Sequence, residues 1–298
     1  MRILVTGGAG FIGSHCVEAL LTAGHQVVVI DNLSAGKREY VHPQATLVEA
    51  DIRSDDWPEK VGNFEAVIHL AAQKNLRTAI NDPLYDADIN IIGGLKVLQA
   101  AHQHKARFIF ASSAAVYGVQ NGKISEAAPV QPVNPYGITK LTMEMYLQFY
   151  QQTYDLPVTI LRFSNAYGPR QDPLGEAGVL SLLLNAILGR GSFTLNGDGL
   201  QTRDFIFVTD LTSALTKGLE HEGIYNIGTG VEHSLLEAIS LIEGIHGSKL
   251  DYAIGQAITG EVRTSVFDST KAKDQLDWQA SVALEQGLRQ TYDWMKSV

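Results

Sequence analysis

The chain has 298 residues, of which 45% are hydrophobic, and a formal net charge of −9 at pH 7. This length suits one large or two ordinary domains, and the apolar content is ample for a buried core. A net negative charge disfavours nucleic acid and anionic membrane surfaces as general partners. Cys16 is the only cysteine, which excludes an internal disulfide and a thiolate metal site and suits a reducing compartment.

The first residues follow the pattern of a strand rather than that of a signal peptide, and no apolar run reaches the ~18 residues needed to span a bilayer. We therefore expect a cytoplasmic protein without a membrane partner or a nucleic-acid partner. The nine histidines are scattered along the chain. Since no His, Asp or Glu cluster has the spacing of metal ligands, no metal site is expected.

Apolar runs typical of buried strands alternate with amphipathic stretches in the first half of the chain. Strands are predicted at 2–6, 26–30, 46–50, 66–71, 107–111 and 157–163, and helices at 84–104 and 138–154. This alternation predicts an α/β fold with a Rossmann-type, doubly wound parallel sheet. The carboxyl ends of such strands share one edge, where ligands bind.

Beyond residue 165 the pattern loosens into Gly- and Pro-containing loops, one of them predicted at 223–234. We expect a dinucleotide-binding Rossmann domain over residues 1–165 and a smaller substrate lobe mainly over 166–298. The segment 203–210 is predicted to be a strand that returns to the sheet. Residues 203–230 are therefore expected to rejoin the first domain.

Four glycines follow the first predicted strand directly: Gly7, Gly8, Gly10 and Gly13. Gly7 suits a tight turn, Gly8 or Gly10 suits the close approach of a pyrophosphate, and the last glycine lets the next helix pack on the strand. The free N–H groups of that helix would then face the anion. A strand-to-helix turn without a ligand is the alternative.

Asp31 ends the second predicted strand, about 20 residues past the glycines, where the ribose-binding carboxylate of a dinucleotide site belongs. It would accept hydrogen bonds from the adenosine 2′- and 3′-hydroxyls and repel a 2′-phosphate, which favours NAD over NADP. Lys37 and Arg38 lie close enough in sequence to keep NADP as an alternative. A structural role for Asp31, capping the turn that begins at Asn32, is the other alternative.

Ser112 and Ser113 end the fifth predicted strand, and Tyr136 and Lys140 lie four residues apart in the helix that follows. This spacing places the last two side chains on one helix face. A nearby ammonium stabilises a phenolate, so we expect Lys140 to lower the pKa of Tyr136 toward the working pH.

The Tyr-x-x-x-Lys spacing is weak evidence alone, because it recurs at Tyr292 and Lys296 near the C-terminus. Tyr136 follows a strand that ends in serines, downstream of the glycine turn. Tyr292 instead precedes Asp293 and Trp294 in an amphipathic helix, and we interpret the second pair as structural.

Together these motifs resemble the extended short-chain dehydrogenase/reductases, in particular the nucleotide-sugar epimerases typified by UDP-glucose 4-epimerase. The likeness covers essentially the whole chain. Further matching segments are 51–52, 69–74, Asn90, 162–165, 167–170 and 197–205. Such a set in this order is strong evidence, although each piece is weak.

The resemblance implies NAD as the cofactor and a UDP-sugar as the substrate. The implied NAD-binding residues are Gly7, Gly10, Phe11, Ile12, Gly13, Asp31, Asn32, Asp51, Ile52, Leu70, Ala71, Ala72, Lys74, Asn90, Tyr136 and Lys140. The implied substrate-binding residues are Lys74, Ser113, Tyr136, Asn165, Val179, Phe193, Leu195, Arg203 and Glu261.

The resemblance also implies a reaction, with Ser113, Tyr136 and Lys140 as the catalytic residues. The Tyr136 phenolate removes the proton of the sugar C4 hydroxyl while Ser113 shares the hydrogen bond, and a hydride passes from C4 to the nicotinamide. The 4-keto sugar then takes the hydride back on its other face. This series of steps interconverts UDP-glucose and UDP-galactose.

For the substrate, the resemblance implies that Asn165 and Arg203 hold the diphosphate, Glu261 reaches the ribose, and Phe193 and Leu195 frame the pyrimidine. The fork of an arginine suits diphosphate geometry. The alternatives are a surface ion pair of Arg203 with the aspartate that follows it or with Glu261, and a turn role for Asn165.

Two positions depart from the pattern of the family. Ile258, two residues before Gly260, stands where members often carry an arginine that holds the diphosphate. Arg263 is a candidate substitute, and weaker substrate binding is the other expectation. Ser265 stands where glucose-restricted members tend to have a bulky tyrosine, which predicts turnover of N-acetylhexosamine substrates as well.

The alternative functions are epimerisation, decarboxylation or dehydration of another nucleotide sugar. Dehydration needs acidic residues just after the catalytic serine, where this chain has Ala114 and Ala115, and no obvious signature marks decarboxylation. A non-catalytic NAD-binding sensor is disfavoured because Tyr136 and Lys140 are both present.

A homodimer is expected from the predicted helices 84–104 and 138–154, whose apolar residues spread around most of the circumference. These residues include Leu95, Leu98, Met145, Leu147 and Phe149. An intramolecular core could use the same residues. The resemblance implies a four-helix dimer interface at this place.

Overall fold

Strands and helices alternate along the chain in this computed structural model, which describes residues 1–120, 122–173, 178–257 and 263–298. The strands are β1 (Arg2–Thr6), β2 (Gln26–Asp31), β3 (Thr46–Glu49), β4 (Ala66–His69), β5 (Arg107–Ser113), β6 (Lys123–Ile124), β7 (Val158–Phe163), β8 (Asn165–Tyr167), β9 (Thr194–Asn196), β10 (Thr202–Arg203), β11 (Phe205–Phe207), β12 (Gly223–Ile227), β13 (His233–Ser234), β14 (Ala253–Gly255) and β15 (Thr264–Phe267). The helices are α1 (Phe11–Thr22), α2 (Trp57–Val61), α3 (Leu76–Asn81), α4 (Pro83–Ala87), α5 (Gly94–His104), α6 (Pro135–Tyr154), α7 (Val179–Ile187), α8 (Val208–Lys217), α9 (Leu235–His246), α10 (Thr270–Gln275) and α11 (Leu284–Ser297). Short 3-10 turns lie at Arg38–Tyr40 and Ala114–Tyr117, and a π-helical segment lies at Asp88–Gly93.

The central sheet has seven strands in the described part of the chain, in the order β12-β7-β5-β4-β1-β2-β3. All of its strand pairs are parallel. The α/β class and the doubly wound parallel sheet predicted from the sequence are confirmed. Because Thr6 pairs with His69 and His69 pairs with Phe110, β1, β4 and β5 end side by side at the edge where ligands bind.

The sheet is buried on both faces, which explains the continuous β-branched runs in its strands. Along β2, Val27 and Val29 face one core together with α1 and α8. Val28 and Ile30 face a second core together with α5 and α6. This two-sided burial fixes the register of each strand and therefore the positions of the strand ends.

Two predictions in the second half of the chain are wrong. Residues 223–227 form β12 at the edge of the central sheet, where a loop was predicted, because this short run is buried beside β7. The segment 203–210 does not enter the central sheet. It forms β10, which pairs with β13 and β15, then β11, which pairs with β8, and then the start of α8.

The predicted helix 84–104 is divided into α4, the π-helical segment and α5. Glycines allow close packing here, since a Cβ at Gly93 would lie 2.8 Å from Cδ1 of Ile52. The helix α6 begins at Pro135, three residues earlier than predicted. Its start is set by Asn134, whose side chain accepts the Gly137 N–H at 2.8 Å.

A separate hydrophobic core lies in the second half of the chain, around α7, α9 and α11. Its buried residues include Tyr167, Leu184, Phe205, Ile239 and Leu288. None of the described helices combines the length and apolar character needed to cross a bilayer.

Candidate active site

The glycine turn after β1 is shaped by two positions that exclude a side chain. Gly7 has a φ of +71°, and a Cβ there would lie 2.8 Å from the backbone nitrogen of Ala71. A Cβ at Gly13 would lie only 2.1 Å from the carbonyl oxygen of Gly7. Because neither glycine carries a side chain, the start of α1 lies tightly against the end of β1, as the sequence predicted for both glycines.

The other two glycines of the turn face different surroundings. A Cβ at Gly8 would lie 2.7 Å from Cγ1 of Val29, whereas a Cβ at Gly10 would meet only the Gly7 oxygen, at 3.2 Å. Phe11 and Ile12 open α1, and the first N–H groups of a helix have no partner within it. Gly10 is therefore the better candidate for close approach by a pyrophosphate.

The Asp31 carboxylate, with 8% of the residue exposed, lies at the end of β2 beside the glycine turn. It accepts the N–H of Ala9 at 3.0 Å and the N–H of Leu33 at 2.8 Å. Burial raises its pKa, and these two hydrogen bonds act in the opposite direction. The carboxylate thus fixes the turn while keeping further lone pairs for ribose hydroxyls.

Both basic residues near Asp31 have acidic partners. Lys37 lies 3.8 Å from the Glu39 carboxylate, and Arg38 forms an ion pair with Glu49. These pairs reduce the positive potential that a 2′-phosphate would need. The arrangement therefore favours NAD over NADP.

Three of the residues predicted to bind NAD, Asn32, Asp51 and Ile52, lie just after the ends of β2 and β3. Asn32 Nδ2 donates to the Asp51 carboxylate at 3.0 Å, and Arg53 binds the same carboxylate through two donors at 2.9 and 2.8 Å. Hydrogen bonding to Arg53 holds the pKa of Asp51 well below its usual range. Ile52 is buried and packs beneath Gly93.

Thr6 fastens the segment after β4 to the glycine turn. Its hydroxyl oxygen accepts the N–H groups of Leu70 and Ala71 at 3.2 and 3.1 Å, and lies 2.7 Å from Nδ1 of His69. Burial lowers the pKa of His69 to about 3, so its imidazole is neutral and Nδ1 can accept a hydrogen bond from the Thr6 hydroxyl. Residues 70–72, including Ala72, are thereby held against the predicted cofactor site.

Asn90 and Lys74 lie next to residues 70–72 and are also predicted to bind the cofactor. Asn90 is buried in the π-helical segment, and its amide accepts the Gln73 N–H and donates to the Gln73 carbonyl, both at 2.9 Å. Lys74 keeps an exposed side chain, yet partial desolvation lowers the pKa of its ammonium and the Asp172 carboxylate opposes this shift.

The three predicted catalytic residues come together at the carboxyl end of β5. The side chains of Ser113 and Tyr136 lie close enough for hydrogen bonding by the serine to favour the phenolate. Lys140, one turn further along α6, donates from Nζ to the Ala111 carbonyl at 2.9 Å and lies 5.7 Å from the centre of the Tyr136 ring. A hydroxyl, a phenol and an ammonium therefore share one small region.

The expected lowering of the Tyr136 pKa is wrong for this structure. Burial raises the pKa of Tyr136 to about 12, against the effect of the Ser113 hydrogen bond. Burial also lowers the pKa of Lys140 to about 8. Desolvation is the largest cause of both shifts, and the sequence spacing alone could not show it.

A cavity of about 310 Å³ lies beside this region, and five predicted substrate-binding residues line it: Asn165, Val179, Phe193, Leu195 and Arg203. Asn165 comes two residues after Phe163, which pairs with Ser113 in the central sheet. The cavity therefore begins at the same edge as the catalytic residues. Its lining is mixed apolar and polar, and Asn165 and Arg203 are suited to a phosphate.

Asp204, the neighbour of Arg203, is 1% exposed. Its carboxylate accepts the N–H groups of Thr229, Gly230 and Phe267 at 2.8, 3.0 and 3.2 Å. Asp204 thus ties three chain segments together in the interior. Because this carboxylate is buried, the alternative of a surface ion pair between Arg203 and Asp204 does not hold.

The remaining positions that the sequence singled out for substrate binding lie between residues 258 and 265. Glu261, Ile258 and Gly260 lie outside the described residues. Arg263 binds the Asp198 carboxylate through two donors at 2.9 and 3.1 Å, so its guanidinium is engaged at the surface. Ser265 pairs with Arg203 across β15 and β10, beside the wall of the cavity.

The profile of the NAD dependent epimerase/dehydratase family matches residues 3–228. The chain belongs to this family. A relative named putative UDP-glucose 4-epimerase, from Methanocaldococcus jannaschii, is 40% identical over 99% of this chain and 98% of its own length. The family resemblance predicted from the sequence is confirmed.

Solved structures of the family share this fold over their full length. The UDP-glucose 4-epimerase of Thermotoga maritima, solved with UDP-glucose, has a TM-score of 0.96 and 38% identity, covering 100% of this chain and 99% of that one. The UDP-N-acetylglucosamine 4-epimerase of Methanobrevibacter ruminantium, solved with UDP-N-acetylmuramic acid, has a TM-score of 0.95 and 32% identity, covering 99% and 98%.

The cofactor of the epimerase/dehydratase family is NAD, and the residues of this chain fit it. The turn at Gly7 and Gly13 leaves no room for a side chain, and Gly10 faces away from the packed interior. The Asp31 carboxylate lies at the adjacent strand end, as a ribose ligand requires.

The second Tyr-x-x-x-Lys pair of this family member is structural, as interpreted from the sequence. Tyr292 is 8% exposed in α11 and packs in the second core, and its hydroxyl lies 2.9 Å from Nδ1 of His246. Lys296 is exposed.

Sequence reasoning missed the buried polar residues beneath the catalytic pair. Asp86 is 0% exposed and bonds to Asn90 and Thr139, while Glu144 is 0% exposed and forms an ion pair with Arg162. A signal was present in the sequence, because Asp86 and Asn90 are four residues apart and so share one helix face.

Proposed function

We propose that this protein is a nucleotide-sugar 4-epimerase that interconverts UDP-glucose and UDP-galactose through a transient 4-keto sugar. The observation that carries the proposal is the meeting of Ser113, Tyr136 and Lys140 at the end of β5, beside a cavity lined by Asn165 and Arg203. The names of its relatives from Methanocaldococcus and Thermotoga support the same substrate class.

The proposed chemistry requires one proton transfer at the sugar. Tyr136, as the phenolate, takes the proton of the C4 hydroxyl, and the Ser113 hydroxyl orients that oxygen by sharing a hydrogen bond. Lys140 stabilises the phenolate as an ammonium held by the Ala111 carbonyl. NAD, when bound, would supply the acceptor for the hydride of C4.

Inversion at C4 requires the 4-keto sugar to present its opposite face before the hydride returns. The protein must therefore hold the nucleotide firmly and the hexose loosely. In this proposal Arg203 and Asn165 bind the diphosphate, Phe193 and Leu195 contact the pyrimidine, and Glu261 binds its ribose.

We extend the proposal to the N-acetylhexosamine pair. Ser265 pairs with Arg203, which lines the cavity. In this proposal a small side chain at position 265 leaves space for the N-acetyl group, which a bulky residue would exclude. The likeness to the UDP-N-acetylglucosamine 4-epimerase of Methanobrevibacter supports this wider range.

Dehydration is disfavoured by the residues that follow Ser113. Ala114 and Ala115 open the 3-10 turn after β5 and carry no group that could transfer a proton. The protein is accordingly assigned to epimerisation rather than to elimination of water.

We also propose a homodimer in the cytoplasm. The outer face of α6 exposes Ile138, Met145 and Phe149, which are 51%, 63% and 51% accessible. Leu98 and Leu147, in contrast, are fully buried in the core of the subunit. An exposed apolar stripe of this kind is typical of a surface that a second copy covers.

The proposal is tested by incubating the purified protein with UDP-galactose, without added NAD, and following the anomeric proton signals by NMR. Appearance of UDP-glucose supports both the reaction and a retained cofactor. The same experiment with UDP-N-acetylgalactosamine tests the wider range. Absence of conversion, in protein shown to contain NAD, would contradict the proposed substrates.

A further inference from the structure

Asp86 is a buried carboxylate at the end of α4, next to the catalytic turn of α6. It is 0% exposed. Three neutral donors of the described residues hold it: Gln73 Nε2 at 2.8 Å, Asn90 Nδ2 at 3.1 Å and the Thr139 hydroxyl at 3.1 Å. A carboxylate that accepts three hydrogen bonds and is this deeply buried is strongly constrained in position.

These contacts link three segments of the active site. Thr139 lies between Tyr136 and Lys140 in α6, and its hydroxyl is 2.9 Å from the Tyr136 carbonyl oxygen. The Asn90 amide also lies 3.2 Å from the Thr139 hydroxyl. Through these neighbours, Asp86 joins Gln73 and Asn90, beside the predicted cofactor site, to the part of α6 that carries Tyr136 and Lys140.

The charge of Asp86 also acts on the catalytic pair. It favours the ammonium form of Lys140 and disfavours the phenolate of Tyr136. The other ionisable groups facing Lys140 are Glu144 on its own helix and His69 on β4.

The charges of those other two groups are already balanced. Glu144 is paired with Arg162 at 2.6 Å, and His69 is neutral because burial lowers its pKa to about 3. The Asp86 carboxylate is held by neutral donors, and its charge and that of the Lys140 ammonium stabilise each other.

We propose that Asp86 is a positioning residue of the catalytic pair, whose buried carboxylate fixes Asn90 and Thr139 and holds Lys140 as an ammonium facing the Tyr136 phenolate. It touches neither the cavity residues nor the reacting atoms. This role rests on the proposed epimerase activity and makes a specific prediction about its pH dependence.

The test is the pH profile of kcat for Asp86→Asn, measured with the NAD-containing enzyme and UDP-galactose. Removing the negative charge lets the pair lose its first proton more readily, so the acidic limb moves to lower pH by about one unit. The plateau value of kcat falls at least about tenfold, because Asn90 and Thr139 lose their anchor. KM changes little.

Asp82→Asn is the matched control, since Asp82 lies one turn earlier, is exposed, and caps α4 by accepting the Tyr85 N–H at 3.0 Å. Asparagine caps equally well, so its profile stays in place. A fall in kcat for Asp86→Asn without a shifted limb, or an equal shift in Asp82→Asn, would overturn the inference.

A second measurement needs neither substrate nor a foldable Asn variant. The 13C carboxyl signal of Asp86 in the wild-type enzyme, assigned with Asp86→Glu, reports its ionisation directly. An ionised carboxyl at neutral pH supports the inference, and a protonated one overturns it. If the wild type converts none of the UDP-hexoses, the proposed function fails, while this signal still decides the role of Asp86.

Discussion

At the residue scale, Tyr136 and Lys140 are both desolvated and lie close together, and burial shifts their pKa values in opposite directions. With Lys140 near 8 and Tyr136 near 12, the pair loses its first proton around the lower pKa and its second around the higher one. Between these values the pair holds one proton, which resides mainly on Tyr136 because its pKa is the higher one. Transfer of this proton to Lys140 gives the phenolate beside the ammonium, the form that the proposed reaction uses.

The rate is therefore expected to depend on pH in a defined direction. We predict that kcat rises with pH up to about 8 and then levels off, because the active one-proton form of the pair replaces the two-proton form. The cationic nicotinamide of bound NAD moves the midpoint further down. A pH profile of kcat, with circular dichroism to confirm folding at each pH, checks this, and a rate that falls between about pH 8 and about pH 9 would contradict it.

Removing the Tyr136 hydroxyl should abolish most of the activity. Tyr136→Phe is expected to lower kcat on the order of 10³-fold, since the base that accepts the C4 proton is lost. The matched control is Tyr292→Phe, which alters the other Tyr-x-x-x-Lys pair and should leave kcat unchanged. Equal losses in the two variants, measured by steady-state kinetics, would remove the assignment.

The range of sugars should depend on the side chain at position 265. Ser265→Tyr is expected to lower kcat/KM for UDP-N-acetylgalactosamine at least about tenfold while UDP-galactose changes much less, because a ring at the cavity wall clashes with the N-acetyl group. Ser265→Ala, which stays small, serves as the control. Parallel losses for both sugars in the Tyr variant would count against this specificity role.

At the element scale, α6 is the part of the fold on which the chemistry depends most. Its first two turns carry Tyr136 and Lys140, and the following turn carries Glu144, whose carboxylate binds Arg162 of β7 at 3.0 and 2.6 Å. The Ser112 hydroxyl donates to the same carboxylate at 2.5 Å. The buried Glu144–Arg162 pair therefore locks α6 to β7, and the Ser112 hydrogen bond ties α6 to β5, the strand that ends in the catalytic serine.

Breaking this pair should destabilise the protein strongly. Glu144→Gln is expected to lower the free energy of unfolding by about 3–5 kcal/mol, because the buried Arg162 loses its counter-ion. Glu285→Gln removes a surface partner of Arg289 in α11, at 3.7 Å, and should cost less than about 1 kcal/mol. Urea denaturation of the two variants compares the costs, and similar values would refute the argument.

The sequence predicted the elements whose pattern is local. The buried strands and their polar ends placed Gly7, Asp31 and Ser113 at one edge, since period and order suffice for that inference. It missed β12, a five-residue strand that is recognisable only from its neighbour β7. It also missed the burial of Asp86, because a polar residue on an amphipathic helix is normally exposed.

At the scale of the whole molecule, the site lies between the central sheet and the second core. The catalytic residues come from β5 and α6, whereas the cavity is walled by residues of β8, α7, β9 and β10. The division into a domain over 1–165 and a lobe over 166–298 stays a prediction. The outer face of α6 lies apart from this cavity and is free to contact a second copy.

The apolar face of α6 predicts the oligomeric state. The wild type should sediment as a dimer, and Met145→Glu combined with Phe149→Glu should sediment as a monomer, because two buried charges oppose association. Ile254→Glu, at a residue that is 79% exposed on β14, is the control and should stay dimeric. A monomeric wild type would contradict the proposal.

The central claim is that a hydride leaves C4 of the sugar and returns to the same carbon. UDP-galactose carrying deuterium at C4, incubated with the enzyme in ordinary water, should give UDP-glucose that keeps the deuterium at C4, as read by mass spectrometry and NMR. Loss of the deuterium during conversion would show exchange with solvent and contradict epimerisation by transient oxidation.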